Sequence, residues 1–82
     1  MYIRSSKEMA EYVVTTRKEL GLSQSEVANR AGLKQKTISS FENNPNGTKL
    51  MTLFRILSAV QLDLNLSLKD DKEVKSSWTE EW

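Results

Sequence analysis

The chain of 82 residues contains no cysteine and no histidine. Without cysteine there is no disulfide and no thiol nucleophile, and without either residue the usual zinc ligand sets are gone. Imidazole acid–base chemistry is excluded with them. No nucleophile–base pair is visible in what remains, so no catalytic site, no metal site and no cofactor is expected. Long apolar runs are missing too. None approaches the ~20 residues that span a bilayer, and the N-terminus lacks the apolar core of a secretion signal. A cytoplasmic protein without a membrane partner is the expectation, compatible with the lack of cysteine. The single proline and the three glycines stand at turns: Gly21, Gly32 and the run Pro45-Asn46-Gly47. The length allows one domain.

What is present is a punctuated helical pattern from Gln24 to Asn43. Ser23-Gln24-Ser25-Glu26 is a capping box, in which the serine hydroxyl accepts from the Glu26 amide and the Glu26 carboxylate reaches back. A helix therefore starts at about Gln24. Ala28 is small, as required where two helices nearly touch. Gly32 follows four residues on, where a left-handed turn costs glycine little. Ile38 then returns an apolar side chain to the same core. This spacing is the sequence form of a helix-turn-helix, whose second helix normally lies in the DNA major groove. On that second helix Ile38 and Phe41 face one way. Gln35, Lys36, Ser39, Ser40 and Asn43 form a polar stripe on the other. Gln suits adenine, Lys suits guanine, and short serines let the backbone come close to base edges. The same stripe on an ordinary helix would be a solvated surface.

Elsewhere the pattern is helical as well. Ser5-Ser6-Lys7-Glu8 is a second capping box, opening a helix near Ser6 that carries Met9, Ala10, Val13, Arg17 and Leu20 and stops at Gly21. Leu22 bridges to the next helix. Asn43 to Gly47 reads as a loop. Thr48 is the expected cap of a last helix with the stripe Leu50, Leu53, Phe54, Leu57 and Val60. Four helices, with a possible short fifth turn, bury one core. Then the period changes to two. Leu62, Leu64, Leu66 and Leu68 alternate with polar residues as in a β-strand with one buried face. Tyr2-Ile3 is the only other candidate strand, and it is very short. A lone strand leaves backbone groups unpaired. The expected remedy is pairing with the same strand of a second copy; the alternative is that the leucines pack on their own protomer's helices. Dimerisation also suits the size, since a core of this length contributes only ~3–5 kcal/mol and each buried leucine adds ~1.5–3 kcal/mol.

The net charge is +1, but it is unevenly spread. Residues 1–69 hold ten Lys and Arg against six Asp and Glu, a net of +4. Residues 70–82 hold two against five, a net of −3. The first segment reads as a basic DNA-binding and dimerisation domain, the second as an acidic, intrinsically flexible tail. Lys18, Arg30, Lys34, Lys36 and Lys49 are candidates for one phosphate-facing side. The tail ends in Glu81-Trp82. A tryptophan is a common interface anchor, so Trp82 is the candidate contact with a protein partner, the alternatives being an incidental residue or packing of Trp78 on the domain.

Ser23 to Asn43 resembles the helix-turn-helix of Xre, Cro and phage repressors, and the resemblance extends over about residues 6 to 61. Taken with Lys34-Gln35, Thr37-Ile38-Ser39, Phe41-Glu42-Asn43-Asn44, the strand and the Glu-Trp ending, the whole chain resembles the HipB-type antitoxins. That resemblance implies a mostly α, four- to five-helix lambda-repressor-like domain with one C-terminal β-strand pairing across a homodimer. It implies that Gln24, beside Ser25, grips a phosphate; that Lys34, Gln35 and Lys36 contact base edges or flanking phosphates; and that Ser39 and Ser40 face bases. It implies an ion pair between Arg17 and Glu42. Lys34 stands where the usual Ser or Thr cap would be, so the second helix is expected to be poorly capped. The implied function is a homodimeric repressor of double-stranded operator DNA that also neutralises a HipA-like serine/threonine kinase toxin. A stand-alone Xre-type or phage-type regulator without a toxin, and an interaction module that has lost DNA binding, fit the same residues.

Overall fold

Helix capping explains where this chain starts and stops its elements. In the computed structural model, which describes residues 2–69, the order is α1 (Ser6–Glu19), α2 (Gln24–Ala31), α3 (Gln35–Asn43), a 3-10 turn (Pro45–Gly47) and α4 (Leu50–Ala59). At α2 the expected capping box is closed on both sides. The Glu26 amide donates to Ser23 Oγ at 3.0 Å, and the Ser23 amide donates to Glu26 Oε1 at 2.9 Å. The bond from the Ser23 backbone, then that with its side chain, holds the Glu26 carboxyl below its ordinary pKa. Its folded pKa is depressed, so its contribution to stability is present above the ordinary carboxylate pKa and fades as the pH falls through the folded value. At α1 the box is only half built. The Glu8 amide donates to Ser5 Oγ, while the Glu8 carboxylate accepts from the Arg4 amide instead of that of Ser5.

Three helix ends share one solution. A residue in left-handed conformation follows α1, α2 and α4: Gly21 at φ 71°, Gly32 at φ 70° and Gln61 at φ 62°. In each case the next residue is a leucine whose amide bonds back to a carbonyl one turn inside the helix: Leu22 to Arg17 (3.0 Å), Leu33 to Ala28 (2.9 Å) and Leu62 to Leu57 (2.8 Å). This is the Schellman arrangement, in which the chain reverses and an apolar residue beyond the cap covers the helix end. Leu22 is buried, and Leu33 and Leu62 pack against the core. The same short sequence device thus aims the chain inward three times.

The core is built by Ala10 and Val13 of α1, Val27 and Ala28 of α2, Ile38 and Phe41 of α3, and Ile56, Leu57, Ala59 and Val60 from α4 and its end. α2 packs on both α3 and α4, and α3 also meets α1 and the 3-10 turn. The Ser6 hydroxyl donates to Asn46 Oδ1 and ties the start of α1 to that turn. Ala28, 2% exposed, and Ile38, 1% exposed, sit where the helix-turn-helix spacing requires them. A fully buried side chain the size of Ile38 contributes about 1.5–3 kcal/mol.

Several expectations are corrected. The residue capping α4 is Lys49, not Thr48, and it makes no side-chain capping bond. The Asn43–Gly47 stretch is not all loop: Asn43 ends α3, and Pro45–Gly47 forms a 3-10 turn. Leu20, Leu50 and Phe54 are exposed, and the inner face of α4 turns on Ile56 and Ala59 beside Leu57. Among the described residues there is no β-strand, and the segment of Leu62, Leu64, Leu66 and Leu68 runs on without a ladder. A ladder needs a second backbone, and among the described residues none pairs with this segment. The acidic tail, with Trp78 and Trp82, lies outside the described residues. No described helix is long and apolar enough to cross a membrane.

The three caps make a matched test. A carbon added to Gly32 would meet nothing nearer than Arg55 Nη1 at 4.0 Å, so its constraint is conformational, not steric crowding. Gly32→Ala is expected to cost about 1–2 kcal/mol, and Gln61→Gly to stabilise by about 0.5–1 kcal/mol. Urea unfolding monitored by circular dichroism reads both; shifts of the same sign would contradict this account of the helix ends.

Candidate nucleic-acid interface

The polar stripe of α3 reaches the surface because its opposite side is nailed down by Ile38 and Phe41. Gln35, Lys36, Ser40 and Asn43 are exposed and Ser39 is half-buried. Asn43 Nδ2 donates to Ser39 Oγ at 3.2 Å, one turn back along the same face. The helix is weakly started, as its sequence implies. Lys34 occupies the cap position without a side-chain bond, and no acidic residue stands in the first turn. The amides there are open to an outside acceptor, which favours an anion near the positive end of the helix dipole.

Behind the stripe lies a chain of side-chain hydrogen bonds that spans three helices. Arg17, near the end of α1, donates from Nε to Glu42 Oε2 at 2.8 Å and from Nη2 to Glu42 Oε1 at 3.1 Å. Its Nη1 donates to the Leu22 carbonyl at 2.9 Å. Gln24, the first residue of α2, donates from Nε2 to Glu42 Oε1 at 2.8 Å. Gln35, the first residue of α3, donates from its own Nε2 to Gln24 Oε1 at 2.7 Å. The Arg17 and Glu42 side chains are 12% and 8% exposed, so the pair is screened little by solvent. Two-point Arg–carboxylate geometry fixes orientation as well as distance. The network therefore holds the start of α2 against both ends of α3.

The residues expected to face DNA are not all gathered in one place. Gln24 and Gln35 are directly bonded. Lys36, Ser39 and Ser40 line a cleft of about 650 Å³ together with Asn43, Asn44, Thr48, Lys49 and Thr52. Ser25 is exposed on the first turn of α2, and Lys34 lies outside the cleft. The sequence reading missed that Thr52 and the start of α4 form the far wall of this cleft, and that the Glu42 carboxylate also takes Gln24. Lys49 had been singled out for charge alone. The first-residue positions of Gln24 and Gln35 on successive helices are the one signal that pointed to their meeting.

A second surface carries exposed leucines among polar neighbours. Leu62 packs on the core, but Leu64, Leu66 and Leu68 are 42%, 84% and 45% exposed. They border a groove of about 900 Å³ that also takes in Tyr2, Ile3, Tyr12 and Leu50. Met51 and Phe54 are exposed on the nearby outer face of α4. The alternative in which all four leucines pack on their own protomer holds for Leu62 only.

Comparison with known proteins agrees with this architecture. Residues 15–66 match the family described as Helix-turn-helix. The chain is 42% identical over 79 residues to the antitoxin HipB of Escherichia coli strain K12, an alignment spanning 96% of this chain and 88% of that one. A solved HipA–HipB–O2–O3 complex contains a chain that superposes with a TM-score of 0.82 at 40% identity, covering 85% of this chain and 99% of its own length. A HipB–O4 20mer complex gives the same TM-score, identity and coverage.

Arg17→Ala leaves Glu42 without its cation in a poorly hydrated position. It is expected to cost on the order of 3 kcal/mol of folding stability. A denaturant midpoint within experimental error of the parent chain would show that the pair is not structural.

Proposed function

From the premise that this chain belongs to the helix-turn-helix family and, within it, to the HipB-type antitoxins, we propose that it is a homodimeric repressor. It binds palindromic operator DNA through the exposed face of α3 and, as an antitoxin, neutralises a HipA-like serine/threonine kinase toxin. The observation that carries the reading is Gln35, exposed at the opening of α3 and held from behind by Gln24. A side chain whose orientation is fixed before binding loses less entropy on meeting a base edge. In this reading Gln35, Lys36, Ser39 and Ser40 meet the major groove. Gln24, Ser25 and Lys34 meet phosphates, with Gln24 using the second hydrogen of its amide nitrogen. Lys49, across the cleft from Lys36, adds a cation over the backbone.

The dimer follows from the second surface. Leu64, Leu66 and Leu68 of two copies would bury against each other as the segments around them pair edge to edge, while Leu62 stays rooted in its own core. Two-fold symmetry then presents two α3 helices to half-sites of opposite orientation. Residues 1–69 form the DNA-binding and dimerising unit, and 70–82 form the acidic tail that engages the toxin, with Trp82 as the anchor. The work of such a protein lies in the cytoplasm, beside its own promoter. The HipB relatives solved with 20mers and with HipA support both halves of the proposal.

Fluorescence anisotropy on a duplex selected from a random pool, against a scrambled duplex, tests the DNA half. Gln35→Ala should cost about 1–3 kcal/mol on the selected duplex and far less on the scrambled one. Lys49→Ala should weaken both equally and flatten the salt dependence by about two contacts per dimer. Equal loss on both duplexes for Gln35→Ala would remove direct readout from α3.

The toxin half is tested by removing Trp82. Capture of a HipA-type kinase should fall by tenfold or more, while affinity for the selected duplex stays within about twofold, because the DNA-facing residues are untouched. Undiminished capture by the shortened chain would reject the anchor.

A further inference from the structure

The hydrogen-bonded chain behind α3 has a direction, and the direction originates at Glu42. A carboxylate paired with arginine accepts hydrogen bonds and donates none. The amide of Gln24, 2.8 Å from Glu42 Oε1, must therefore turn its nitrogen toward Glu42. Its oxygen then faces Gln35, which in turn must present nitrogen to it, at 2.7 Å. One hydrogen of Gln35 Nε2 is used in this way. The other hydrogen and the oxygen Oε1 remain on an exposed side chain. That leaves one donor and one acceptor for a base edge. Adenine offers the complement in the major groove, an acceptor at N7 and a donor at N6, whereas guanine offers two acceptors.

We propose that Glu42 is a positioning residue for base choice. Although it touches no base, its negative charge fixes the orientation of two successive amides and so makes Gln35 select adenine over guanine. The inference rests on the reading of α3 as the DNA-facing helix. Arg17 has a supporting part: by pairing with both carboxylate oxygens it holds Glu42 in place. The carboxylate group is the determinant, because replacing it by an amide of the same shape reverses the logic. In Glu42→Gln the new oxygen at the Oε2 position keeps the bond from Arg17 Nε, while the new nitrogen at the Oε1 position faces Gln24 and gives up the bond from Arg17 Nη2. Gln24 then turns its oxygen to Glu42's substitute and its nitrogen to Gln35. Gln35 answers with oxygen and points both its hydrogens outward, a pair of donors suited to guanine N7 and O6.

The experiment is selection of bound duplexes from a pool randomised over about two turns of DNA, using the full chain, followed by affinity measurement on the recovered sequences. The Gln35 position is identified as the base whose preference vanishes in Gln35→Ala. The parent chain should prefer adenine there, and Glu42→Gln should switch the preference to guanine by about fivefold or more, with the other positions of the motif unchanged. A general fall in affinity from weakened folding would not alter which base is preferred at one position. Gln24→Met keeps the Arg17–Glu42 pair and cuts the relay. It should leave the folding midpoint nearly intact and lower the adenine-to-guanine ratio without inverting it. In Gln24→Met combined with Glu42→Gln the guanine preference should disappear, since the signal has no path. An unchanged adenine preference in Glu42→Gln, or in Gln24→Met should Glu42→Gln fail to fold, overturns the role of Glu42 while leaving the repressor reading standing. A parent chain that enriches no motif at all overturns both.

Discussion

One carboxylate holds this structure in its working form. Glu42 closes α3, and it receives two bonds from Arg17 of α1 and one from Gln24 of α2. Three helices meet at its two oxygens. Apolar packing by Ile38, Phe41, Val27 and Val13 makes the fold compact, but packing tolerates small rotations of one helix on another. Directional bonds at about 3 Å do not. The carboxylate therefore sets the relation between the first residues of α2 and α3, the two glutamines on which the proposed contact with DNA depends. The pair is nearly dry, and the described residues contain no buried side-chain polar atom left without a partner, so its desolvation is offset by hydrogen bonds.

Much of this was legible in the sequence, and the reasons differ from element to element. The capping box at Ser23 and the glycine at position 32 are local signals, so they marked the start of α2 and the turn that follows it. Ile38 and Phe41 followed from the helical period. The Arg17–Glu42 pair came from resemblance, because no local rule links residues 25 apart. The inner face of α4 was assigned in part, with Leu53, Leu57 and Val60 packing inward and Leu50 and Phe54 not, because nearly every residue from Leu50 to Val60 is apolar or small, and a period of 3.6 cannot choose among three apolar faces. The excess apolar residues have their own meaning: Leu50, Met51 and Phe54 lie outside. Gln61 in a left-handed turn was illegible for the opposite reason, since the sequence there has no glycine or asparagine to announce it.

The leucines at 64, 66 and 68 show what a single chain withholds. Alternation suggested a strand with one apolar face, but a strand is defined by its neighbour, and the neighbour is another molecule in the proposed arrangement. The polar surface of α3 and the apolar groove near α4 are thus linked by the fold. The same short domain must keep Phe41 buried to support the first and leave Leu66 exposed to supply the second. A small core with three Leu-covered helix ends can hold both surfaces apart.

The most direct test of the central claim, that the exposed face of α3 meets DNA, is a nuclear magnetic resonance titration of isotope-labelled protein with its selected duplex. The largest shifts are expected at the side-chain amide groups of Gln24 and Gln35 and the backbone amides of α3 from Gln35 to Ser40. Shifts confined to α4 and residues 62–69, with both glutamine side chains unmoved, would contradict it.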